Sequence, residues 1–157
     1  MLTKRRKKHI IIHKTNSNHI KGLTYENLGE HMPSAWTINN DASCFSRSAA
    51  KSFQKNYPQE FVNIMANLDR YKSALDSGIH PEQIKKENTF VHNEGKGVVS
   101  ITQHPLRKGA HPLRLYVYPC LTTHVLHILF LGDKHHQEKD IQTIHNYVKK
   151  NLQEPNA

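Results

Sequence analysis

The chain has only two cysteines, Cys44 and Cys120, too few for a disulfide framework or a four-cysteine zinc site. Such usage fits a reducing interior, and a cytoplasmic location is the expectation. No run of about 18 or more apolar residues occurs, so no membrane span is expected. The basic opening TKRRKK is followed by only Ile10, Ile11 and Ile12 before polar sequence resumes, too little for the apolar region of a signal peptide. Acidic residues are in deficit, 13 against 22 lysines and arginines, for a formal net charge of +9. That balance draws the chain to polyanions, nucleic acid or a ribosomal surface before anionic membrane. Apolar residues make up 36% of 157, enough for one small core.

Histidine is abundant, at 13 residues, and each imidazole titrates near neutral pH. Residues 1–35 show no sustained period. Their block of five positive charges, Lys4, Arg5, Arg6, Lys7 and Lys8, reads as a basic arm. It is either a solvated tail or a grip on nucleic acid. The folded domain is expected over 36–157.

Trp36 to Ile38 is a short strand candidate. Ser46 is placed to cap a helix over RSAAKSFQKNY, and Pro58 to start a second one. In that second helix Phe61, Ile64, Met65, Leu68, Tyr71 and Leu75 form one apolar stripe, with Gly78 as the stop. Residues 79–96 are polar with breakers and read as an insertion. Gly97 to Gln103, Leu113 to Cys120 and His124 to Leu131 read as strands, the last apolar enough to be covered on both sides. Ile141, Ile144, His145, Val148 and Leu152 mark a closing helix from Glu138 to Leu152. The class is α+β: a helical hairpin packed on one face of a small curved antiparallel sheet, with a C-terminal helix.

Candidate chemistry gathers at one sheet end. Alternation sets Arg114, Tyr116 and Tyr118 on the polar side of their strand, an arginine between rings that suits phosphate and unpaired bases. A half-exposed sheet face using tyrosine for its strand propensity is the plain alternative. The loop HPLRKGAHPLR adds His104, Arg107, Lys108 and His111, a possible anion cradle or an ordinary charged loop. Antiparallel pairing brings the start of one strand beside the end of the next, so His111 and Arg114 should neighbour Lys134, His135 and His136. No HExxH motif or clustered acid accompanies the histidines, so no metal and no other cofactor is expected. Histidines among cations suit RNA cleavage by its own 2′-hydroxyl, which needs a base, an acid and a cation at the phosphate.

The segment RLYVYPCLTTHVLHILFLGDKHHQEKDIQTIHNYVKK resembles the C-terminal pattern of the RelE/ParE toxin superfamily, nearest its HigB branch and phage relatives. The matching pieces are Arg114-Leu115-Tyr116, Val125 to Phe130, Lys134, and Asp140-Ile141 opening the helix; FSRSAAKSFQKNYPQEF is similar to the family's helical hairpin. The resemblance implies a type II toxin that enters the ribosome and cuts mRNA without metal, neutralised by a cognate antitoxin protein. It implies Arg114 on phosphate, Lys134 with His135 or His136 at the scissile bond, and Tyr116 on a base. The chain departs from the family in having two histidines where a second lysine is usual, in its long arm and in the insertion at 79–96. A gyrase-inhibiting toxin of the same fold and a non-catalytic nucleic-acid-binding accessory protein are the competing readings.

Overall fold

The computed structural model describes residues 35–153, and the expectations for Lys4, Arg5, Arg6, Lys7 and Lys8 lie outside the described residues. The chain runs β1 (Thr37–Asn39), α1 (Arg47–Asn56), α2 (Pro58–Asp76), α3 (Pro81–Glu87), β2 (Val91–Gly95), β3 (Val98–Thr102), β4 (Leu113–Cys120), β5 (Val125–Asp133), and α4 (Gln137–Asn151). A single 3-10 turn, Lys134–His136, leads into α4. The Ser46 hydroxyl accepts from the Ala49 N–H to cap α1, and Pro58 opens α2 where its missing N–H costs nothing. Tyr57 is thus the only residue between the two helices, which forces a tight hairpin.

On α2, Ile64, Leu68, Tyr71 and Leu75 are buried, each worth about 2 kcal/mol of apolar transfer. They meet Leu113, Leu115 and Val117 of β4 and Leu126, Ile128 and Leu131 of β5. Asn67 fastens α2 to the sheet, its amide donating to the Thr102 carbonyl at 2.7 Å.

Three expectations are corrected. The sheet is mixed, in order β1-β5-β4-β3-β2: β2 to β5 are antiparallel, but β1 runs parallel to β5. The helical hairpin between β1 and the later strands carries the chain back across the sheet, which permits a parallel neighbour. The segment 79–96 is structured, holding α3 and β2. Ile84, Phe90 and Val91 are its buried apolar anchors, too few to make a period visible. Lastly, helices cover both faces. α4 packs Ile144 and Val148 on Ala42, Val98, Tyr116 and Leu129, a second core opposite the hairpin.

A bulge in β5 supports that second core. Tyr116 pairs with Phe130 but Val117 pairs with Ile128, leaving Leu129 as the extra residue. Leu129 and Phe130 therefore both serve the α4 side, while Ile128 and Leu131 serve the hairpin side. Among the described residues, no helix is long and apolar enough to cross a membrane.

Candidate functional site

The start of β4 does lie beside the end of β5. Leu113 pairs with Asp133 and Arg114 with Gly132, and the Lys134 N–H donates to the Pro112 carbonyl at 3.1 Å. Side chains then separate onto two faces, because successive residues of a strand alternate.

On the hairpin side, Asp133 sits between two imidazoles. Its Oδ2 is 3.7 Å from His111 Nε2, and its Oδ1 is 3.1 Å from His136 Nδ1. The same Oδ1 accepts the backbone N–H groups of His135 (2.9 Å) and His136 (3.3 Å), capping the 3-10 turn. Burial pushes the Asp133 carboxyl up, but the hydrogen bonds from His136 and from the His135 N–H outweigh it. The net result is a pKa below the ordinary carboxylate value. His111 is fixed from three further directions: its ring stacks on Tyr57, its N–H donates to Glu60 Oε1, and its carbonyl accepts from the Gln103 amide. The His135 ring lies 6.3 Å from that of His111, centroid to centroid. His135 and Lys134 are exposed.

The α4 side carries a different network. Arg114 Nη1 donates to Glu94 Oε1 (3.2 Å) and to Ser100 Oγ (3.3 Å). The Ser100 hydroxyl also donates to Glu94 Oε1, and the Gln137 amide reaches Oε2 at 3.4 Å. The arginine and glutamate side chains are only 15% and 7% exposed, so the pair is largely removed from water. His92, on β2, has its pKa lowered by burial and by the charge of Arg114. Asp140 has its carboxyl raised by burial.

The structure thus brings His111, Lys134, His135 and His136 together at one rim, and sets Arg114 on the other face. His104, Arg107 and Lys108 are exposed on the β3–β4 loop. The outward-facing reading of Tyr116 is corrected: it is 0% exposed, because α4 covers the face that alternation marked as polar. A ring in that position has no face open to a base. Tyr118 is half-buried beside His127 and over Gly97, so it too is partly internal.

Sequence reasoning passed over Tyr57, Glu60, Asp133, Glu94 and Gln137. Asp133 carried a local signal, since an aspartate two residues before His135 is the pattern of a side-chain cap. Glu94 and Tyr57 carried none; only tertiary packing brings them to the site. Among the described residues, no group of three or more His, Cys, Asp or Glu side chains is arranged to hold a metal ion.

Comparison with family models, with curated proteins and with solved structures finds no match to this chain.

Proposed function

We propose that this protein is a toxin of the RelE/ParE type that cleaves mRNA on the ribosome through the 2′-hydroxyl, with a cognate antitoxin as its regulator. The observation that carries the chemistry is the pair His111 and His135. Their rings lie 6.3 Å apart at the sheet end, tilted by 49°, with the Asp133 carboxylate 3.7 Å from His111 Nε2 and Lys134 adjacent in sequence to His135.

In this reading His111, oriented by Asp133 and Tyr57, takes the 2′-hydroxyl proton as the oxygen attacks phosphorus. His135 or His136 protonates the 5′-oxygen as the P–O5′ bond breaks. Lys134 offsets the charge on the phosphorane. The products are a 2′,3′-cyclic phosphate and a 5′-hydroxyl. Arg114 holds phosphate from the α4 side, and the exposed His104, Arg107 and Lys108 extend the cationic surface. The helical hairpin, the Arg114-led strand, the apolar β5 and the Lys134 turn, in that order, support the family reading.

A second reading, RNA binding without cleavage, is favoured by the internal pairing of Arg114 with Glu94. Controlled expression in bacteria separates the two. Wild type is compared with the triple variant Lys134→Ala/His135→Ala/His136→Ala, following growth and mapping mRNA 5′ ends. Arrest with new ends, both abolished in the variant, supports cleavage; purified protein with ribosomes should then cut mRNA and leave 2′,3′-cyclic phosphate ends. Arrest that persists in the variant without cuts moves the reading to binding or to gyrase inhibition.

A further inference from the structure

Glu94 is delivered to its place by a β-bulge. Asn93 pairs with Val99 and Gly95 with Val98, which leaves Glu94 as the extra residue of β2. Gly95 adopts φ +84°, a conformation that suits glycine, and its N–H is held by Asn93 Oδ1 at 3.1 Å. The Glu94 carbonyl lies 2.8 Å from His145 Nε2 on α4. One residue is therefore tied to β3, β4 and α4 at once. Bulges re-aim side chains in this way, and a buried carboxylate is an odd choice beside a surface meant for polyanions.

The guanidinium explains the choice. Both of its hydrogen bonds leave from Nη1, to Glu94 and to Ser100. No described residue accepts from Nη2 or Nε, and the side chain keeps 15% of its exposure. Those two donors form the edge of the fork that matches two phosphate oxygens.

We propose that Glu94 is a positioning residue for phosphate: held by the bulge, it fixes Arg114 through Nη1 so that the Nε–Nη2 edge stands ready for a phosphodiester of single-stranded RNA. The inference rests on the reading of Arg114 as the phosphate-binding group, but it needs no cleavage. The expected effect has an unusual sign. Removing a negative charge from a protein that binds a polyanion should tighten binding. If Glu94 positions Arg114, removing it weakens binding instead.

The test uses the full chain and a short single-stranded RNA carrying 2′-O-methyl groups, which cannot be cut by 2′-hydroxyl attack. Affinity is measured over a range of salt. Glu94→Ala should weaken binding about tenfold and flatten the plot of log K against log salt by about 0.7, the slope that a single phosphate contributes on a single strand. Glu94→Gln, which keeps an acceptor for Nη1, should restore most of both. Binding by Glu94→Ala as tight as wild type, or tighter, overturns the proposal, as does a wild type that does not bind this RNA. Should Glu94→Ala fail to fold, Arg114→Lys decides: it keeps the charge but not the fork. About tenfold weaker binding is expected, and wild-type affinity sinks the idea. Cleavage assays on unmodified mRNA judge the nuclease chemistry separately.

Discussion

The imidazole of His111 lies flat against the phenol ring of Tyr57, with centroids 4.1 Å apart and planes 8° from parallel. Tyr57 is the joint of the helical hairpin, and His111 precedes β4. The stack therefore couples the hairpin to the rim where the histidines gather.

A stacked pair of this kind contributes on the order of 1 kcal/mol beyond its burial. On the proposed chemistry, Tyr57→Phe keeps the ring and should cleave mRNA at close to the wild-type rate. Tyr57→Ala frees His111 and should lower the rate about tenfold with RNA affinity little changed. Single-turnover cleavage set beside binding of uncleavable RNA reads both quantities. An equal fall in rate for the two variants would assign the effect to the hydroxyl and leave the ring without a role.

Asp133 should make the fold sensitive to acid. Its pKa is lower in the folded chain than in the unfolded one, so the unfolded state binds more protons as pH falls. Its contribution is present above the ordinary carboxylate pKa and disappears as pH drops through the folded value. Asp133→Ala should cost about 1 kcal/mol at neutral pH through removal of the cap, with a shallower decline in stability below about pH 4. Urea unfolding across acid pH measures this.

The Tyr116 hydroxyl is buried with no hydrogen-bond partner among the described residues. Leaving such a group unsatisfied costs about 1–3 kcal/mol, so Tyr116→Phe should unfold at equal or higher urea concentration than wild type. RNA affinity should not change, because the ring is inside the α4 core. A variant that folds normally and no longer binds RNA would restore Tyr116 to the interface.

Gly132 has no room for a methyl group. A Cβ there would stand 2.6 Å from Asp140 Oδ2 and 2.9 Å from the Phe130 ring. Gly132→Ala should destabilise by roughly 1–3 kcal/mol. Adding Asp140→Ala should recover part of that stability, since it removes the nearer atom. Urea midpoints of the single and double variants test the pair; no recovery would place the strain at Phe130.

Much of the frame was legible in the sequence. The Ser46 cap, the Pro58 start, the α2 stripe and the span of β4 are local signals that appear where their residues placed them, except that Met65 of the stripe is exposed. The backbone nearness of Pro112–Arg114 to Gly132–Lys134 followed from hairpin pairing alone. α3 and β2 were not legible, because Ile84, Phe90 and Val91 are spread too thinly for a period. Alternation along β4 separated the faces correctly, yet it could not say that α4 would bury the second one. Tyr116 looks polar in a pattern and lies in a core in the fold.

The sequence by itself determined the elements whose causes are local: capping, helical period, strand alternation, and a hairpin that brings its own ends together. It also determined the formal net charge of +9, on which the expectation of a polyanionic partner rests. Only the tertiary structure decided which histidine faces which, that Asp133 stands between His111 and His136, and that Glu94 reaches Arg114. Those contacts join residues from distant elements. They depend on a bulge in β2, a bulge in β5 and the seat of α4, and such geometry arises when faces pack together.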